Sequence, residues 1–212
     1  MRIDPESRSV QGLTVLLQFV ALNVLYVVAC LPVVTAGAAT AALYEVTLRY
    51  ADDERGYLLS GYLVALRRNL WRGTAVVAVL GLPVAGAAFA AVFWLSAGSV
   101  LGTAVGVVAV LLAVHLAGAL LYGLALVPRY DDPLGRTLRN AMLLPLAEPL
   151  RTGWLVLRPL ATVAVVYVAP QAVVLVATIG FSVGAYVDAL VLHSVFRRRQ
   201  GAGEVVSPHS GE

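Results

Sequence analysis

No lysine occurs in this chain of 212 residues; all fifteen basic residues are arginines. There is a single cysteine, Cys30, so no disulfide can close within the chain and no cysteine-based zinc site can be assembled. Three histidines, His115, His193 and His209, lie far apart, and neither H-E-x-x-H nor C-x-x-C is present. Phosphate-cradling glycine loops, a nucleophile elbow and a paired-carboxylate arrangement are missing as well. The sequence therefore offers no catalytic constellation, no metal site and no call for a cofactor. Charge is also scarce. At 13% charged and 60% hydrophobic, the chain has too little polar surface to face water; soluble domains carry about 25% charged residues.

What is present is apolar sequence in long runs. Several reach the roughly 20 residues needed to cross a hydrocarbon core of about 30 Å, and the mean hydropathy is +0.85. The expected class is an all-α polytopic transmembrane bundle, with about five spans and short amphipathic interfacial helices. Residues 1–11 form a polar N-terminal segment, 12–199 a single transmembrane domain, and 200–212 a disordered tail. The spans fall at 12–34, 73–95, 101–127, 159–178 and 179–196. The last two share an apolar tract of 37 residues. As one helix it would be roughly 55 Å long, nearly twice the hydrocarbon thickness. Pro170 and the pair Gly180 and Gly184 are the available breaks, and a tight turn near Gly180 is expected. Val27, Val28, Ala29 and Cys30 resemble a lipoprotein cleavage box, but apolar sequence continues past Cys30, so a buried thiol is the simpler reading.

Between the first two spans the pattern changes. Pro32 ends the first run, Thr35 is positioned as an N-cap, and residues 36–50 read as a short helix rich in alanine. Its Glu45 and Arg49 are four apart and can pair. This helix is too short to cross alone, so it is read as interfacial or re-entrant. Residues 57–72 are amphipathic, with Leu58, Leu59, Tyr62, Leu63, Leu66 and Leu70 on one face. Arg67, Arg68 and Asn69 lie off that stripe, with Trp71 and Arg72 at its end. A helix in the headgroup plane and a cap on the bundle both fit. A second amphipathic segment, 134–146, carries Arg136, Arg139 and Asn140. The stretches around Arg49 to Gly73 and Arg129 to Trp154 echo each other at an offset of about 80 residues. Either an internal repeat or two loops under similar constraints would give this.

Arginine placement sets orientation. Five arginines fall in 49–72, five in 129–158 and three after Phe196, whereas the turn at 96–100 has none. Five spans place every basic segment and the C-terminus in the cytoplasm and the N-terminus outside. If 36–50 also crosses, the N-terminus lies inside. The arginines flank apolar spans, so lipid headgroups and topology explain them without nucleic acid.

Ionisable or strongly polar groups at membrane depth are functional candidates because charge there is costly. Asp188 lies in the fifth span and His115 in the third; together they can form a structural lock or a proton-coupled site. Asn23 and Gln18 are polar positions of the first span, and a side-chain amide there is expected to bond a neighbouring helix. His193 is near enough to a span end to reach headgroups.

The pattern Asn23, Leu25, then Leu31, Pro32, Val33, Val34, Thr35 and Gly37, then Ala41, Ala42, Leu43 and Tyr44 resembles the YesL family of bacterial integral-membrane proteins. The resemblance continues through Gly56, the basic helix to Asn69, and the loop from Arg129 to Asn140. It covers nearly the whole chain, and it departs at Ala38, where the family often has proline. The resemblance implies a bacterial plasma-membrane protein without known catalytic residues. It also implies association with carbohydrate uptake of the ABC type. The expectation is a non-enzymatic accessory that binds the bilayer and either a sugar-transporter permease or itself. A small oligomeric transporter using Asp188 and His115 is the rival; an enzyme is disfavoured.

Overall fold

A computed structural model of the chain describes residues 8–52 and 58–204, with side chains described over 12–52 and 58–194. All regular structure there is helical. The helices are α1 (Arg8–Cys30), α2 (Ala36–Ala51), α3 (Leu58–Val76), α4 (Leu82–Ser96), α5 (Val100–Arg129), α6 (Leu134–Ala147), α7 (Pro149–Val168), α8 (Ala172–Leu175) and α9 (Phe181–Glu204). Four stretches are long and apolar enough to cross a membrane: Gly12–Cys30, Leu58–Ser96, Val100–Arg129 and Ala172–Ser194. The all-α membrane bundle expected from composition is what forms.

The expected split between an amphipathic helix and a second span does not occur. A π-helical turn, Val77–Gly81, joins α3 to α4 without a break. Pro83 follows it at the first turn of α4, so the widened turn comes just where proline removes an amide donor. The inward stripe of α3 is Leu58, Tyr62, Ala65, Asn69, Gly73 and Val76. Leu63 and Leu70, placed on the same apolar face by the sequence pattern, are exposed. The 37-residue tract is also divided differently. Its break lies at Ala169 to Gln171, where Ala169 leaves helical geometry before Pro170. Gly180 instead sits in a second π-helical turn, Val176–Gly180, within the continuous run from α8 into α9. That run reaches Glu204 and so enters the stretch expected to be disordered; residues 205–212 lie outside the described residues. At the other end, helix already begins at Arg8, within the segment read as a polar lead-in.

The helix read as surface-bound is central. Residues Gly37 to Leu48 of α2 are buried with the exception of Thr40, and Ala38, Ala39, Ala41 and Ala42 are fully so. Small side chains let α3, α5, α9 and α1 approach it from several sides. The closest approach is at Gly37 and Gly73. A Cβ on Gly73 would lie 2.8 Å from Ala38 Cα and 2.9 Å from Ala38 N. Gly37 is therefore a packing glycine inside a helix, not a turn residue. Thr35 does precede α2, yet its hydroxyl makes no cap there. It donates backward to Ala29 O at 2.6 Å and Pro32 O at 2.7 Å, covering carbonyls freed where Pro32 ends α1.

Chain direction bears on whether residues 36–50 also cross, which the sequence left open. Asn23 meets the turn at 176–182 while Phe19 meets Tyr186, so α1 and α9 run antiparallel. Gly12 at the start of α1 lines a cleft with Tyr50 at the end of α2 and Tyr186 of α9. The start of α1 thus lies at the same end of the bundle as the later part of α9. Five traverses would put these termini at opposite ends. An even number of passes along the bundle fits this pairing, with α2 as the returning element, which is the alternative in which 36–50 also crosses.

Candidate functional site

Three polar inclusions interrupt the apolar bundle. The first is built on α9, where Asp188 is fully buried at 0% exposure. Arg158, on α7, grips it with two bonds: Nε donates to Oδ1 at 2.7 Å and Nη2 to Oδ2 at 2.5 Å. Tyr44 of α2 donates its hydroxyl to Oδ2 at 3.4 Å. One turn before Asp188, Gly184 supplies the space, since a Cβ there would press on the guanidinium. A planar fork matching both carboxylate oxygens is the geometry that best repays desolvation. Three helices from distant parts of the chain are thereby pinned at one point.

His115 does not take part. It is half-buried on α5, and the donors to Asp188 are Arg158 and Tyr44. The expected pairing of His115 with Asp188 is replaced by a permanently charged partner. Sequence reasoning missed Arg158 because it had counted it among loop arginines at the edge of a span. The usable signal was an arginine immediately before an apolar tract that contains one uncompensated carboxylate. Tyr44, read as a structural motif residue, joins this inclusion.

The second inclusion is Asn23, fully buried on α1. Its Nδ2 donates to Ala177 O at 2.6 Å and Val176 O at 3.3 Å, and its Oδ1 accepts from Ser182 N at 2.9 Å. A π-helical turn shifts backbone pairing and leaves such groups in need of partners. One side-chain amide, with donors and an acceptor, serves both needs. The Ser182 hydroxyl returns a bond to Phe19 O at 2.9 Å.

The third inclusion is a charged layer at the end of the bundle that holds Asp52 and His193. Glu45 of α2 is buried and accepts from Arg68, from Asn69 Nδ2 at 2.8 Å and from Arg49 at 2.9 Å. The expected Glu45–Arg49 pair is present, with α3 adding two donors. Asp52 meets His193 Nε2 at 2.6 Å and Arg129 at 3.7 Å. Arg72 donates to Tyr130 O at 3.0 Å and Asp132 O at 2.8 Å, and Arg136 pairs with Asp132 at 2.8 Å. Arg67 and Arg139 are exposed on α3 and α6. Asn69 and Asn140, which fall within the two echoing stretches, behave differently. Asn69 is buried on Glu45, whereas Asn140 lines an open cleft. Pro32 stays exposed at the end of α1.

These features define a helical membrane protein in which Asp188 and Asn23 are each held by groups on other helical elements. Residues 19–93 match the family described as "Protein of unknown function, DUF624". YesL is a DUF624 family, so the likeness read from Asn23 to Tyr44 is met over that stretch. No curated protein and no solved structure matches the chain.

Proposed function

We propose that this protein is a non-enzymatic accessory of carbohydrate uptake, held in a bacterial plasma membrane and docking on a partner permease of the ABC type. One observation carries the non-transport reading: the Asp188 carboxylate is fully buried and both its oxygens are held by Arg158. A guanidinium stays charged at every physiological pH, so the pair is neutral as a unit and has no vacancy for a proton or a solute. Asn23 is likewise spent on the backbone of the Val176–Gly180 turn and of α9. What the protein offers outward is a basic end and long apolar flanks, which suit assembly with other membrane chains. The carbohydrate link rests on the YesL resemblance. The arginine-rich end faces the cytoplasm by the positive-inside rule, and the C-terminus with it.

The test is affinity capture of the tagged full chain from native membranes. Recovery of a sugar-transporter permease supports the proposal; recovery of the chain alone counts against it. The second reading is a small oligomeric solute transporter using Asp188 and His115. It is favoured by one observation, the 26% exposure of the Arg158 side chain, which leaves an edge of the ion pair reachable. Sugar flux into liposomes containing only this chain, abolished by Asp188→Asn, would establish that reading instead.

A further inference from the structure

The arginines at the charged end are not equivalent. Nine arginine side chains fall within the described residues, and seven have a carboxylate partner: Arg49, Arg68, Arg72, Arg129, Arg136, Arg151 and Arg158. Arg67 and Arg139 are exposed and have none among the described residues. Both sit within apolar surface. One turn either side of Arg67 on α3 are Leu63 and Trp71, and Trp71 is 79% exposed. One and two turns after Arg139 on α6 are Leu143 and Leu146, the latter 71% exposed. Residues this apolar and this exposed are not core. An arginine beside leucine and tryptophan is the pattern of a headgroup boundary, where the cation meets phosphate and the ring lies at the interface.

A cleft adjoins Arg139. It lies between the end of α5 and α6, has a volume of about 540 Å³, and is lined by Leu126, Tyr130, Asn140, Leu143 and Leu146 among others. The two helices that carry the unpaired arginines are joined by the bonds of Arg72 and Arg136 to Asp132. Cation, polar rim and apolar furrow therefore belong to one end of the molecule. Free phosphate would use only the cation, whereas an anionic lipid uses all three.

We propose that this end binds anionic phospholipid, with the phosphate of a lipid at Arg139 and its acyl chain in the cleft between α5 and α6, and with Arg67 adding a second exposed cation at the same end. The guanidinium fork meets two phosphate oxygens at once. Zwitterionic lipid carries a competing ammonium and gains less from an unpaired cation.

The test uses the purified full chain in neutral detergent, mixed with dioleoyl phosphatidylglycerol or dioleoyl phosphatidylcholine, with retained lipid counted by native mass spectrometry. The wild type is expected to retain phosphatidylglycerol preferentially. Arg67→Gln or Arg139→Gln should each weaken that retention about fivefold, and the double variant roughly 25-fold, from the gain of about one surface cation each. Lysine at both positions should restore most of it. Neither side chain has a carboxylate partner among the described residues, so an unchanged melting temperature without lipid is expected to show that the variants fold. Phosphatidylglycerol retained equally by the double glutamine variant would overturn the proposal. So would full displacement of the lipid by millimolar inorganic phosphate, which would assign the arginines to a free anion.

Discussion

Deleting the guanidinium of Arg158 strands the Asp188 carboxylate, with only Tyr44 at 3.4 Å left to donate. Removing one member of a buried pair costs about 3–5 kcal/mol, more than replacing both by apolar groups of similar size. Arg158→Ala is therefore expected to lower the melting temperature in detergent strongly. The Arg158→Met, Asp188→Leu double variant should recover a large part of that loss, and the double-mutant cycle should give a coupling well above about 1 kcal/mol. Additive losses would remove the pair from the list of stabilising locks. Asp188 itself was legible in the sequence, because a lone carboxylate in an apolar tract demands compensation. Its partner was not. Helical spacing says which residues share a face, but not which faces of distant helices meet, and Gly184 has no sequence feature that marks it as the seat of a guanidinium.

At the scale of elements, the π-helical turn before α9 and the α2–α3 crossing each depend on one side chain or its absence. Asn23→Leu removes the donors to Ala177 and Val176 and the acceptor for Ser182 N. Each buried group left unpaired costs about 1–3 kcal/mol. The expected result is faster hydrogen exchange at the Ser182 amide, read by mass spectrometry, with a lowered melting temperature. Unchanged exchange there would mean that the turn closes its own bonds. For the crossing, Gly73→Ala places a methyl against the backbone of Ala38, where no flexible side chain can yield. Such overpacking is expected to destabilise by about 1–3 kcal/mol. Gly86→Ala meets nothing within 4 Å, so it should be neutral or stabilise by up to about 1 kcal/mol. Equal effects of the two would dissolve the claim that α2 and α3 touch through glycine. Helix identity was legible from apolar run length. The role of each glycine was not: Gly180 looks like a turn residue in sequence and proves to lie inside a helix, and nothing in the sequence marks Gly37 and Gly73 as a contact pair.

For the whole molecule, the arginine asymmetry already pointed to one charged end, but not to the number of passes that reach it. That number turns on α2, whose 16 residues are short for a crossing at 1.5 Å per residue. Its alanine-rich length looked like surface attachment until packing placed it in the centre. With α1 and α9 antiparallel, the start of α1 shares an end with Asp52, Arg129 and His193. The turn at Gly98 and Ser99, between α4 and α5, instead adjoins helix ends that carry no charge. The positive-inside rule then predicts that the charged end and the start of α1 face the cytoplasm together, with Ser99 outside. Single cysteines placed in a Cys30→Ala background read this directly in intact cells. Ser99→Cys is expected to react with an impermeant maleimide from outside. Gly12→Cys and Asp131→Cys should react only after permeabilisation; nothing contacts a Cβ at Gly12, and Asp131 is fully exposed. Labelling of Gly12→Cys from outside alongside Ser99→Cys would restore the five-pass arrangement and require α1 to cross parallel to α9. The bonds from Asn23 to Ser182 and from Ser182 to Phe19 would then have to be absent in the membrane, so the labelling pattern tests the helix pairing as well as the orientation.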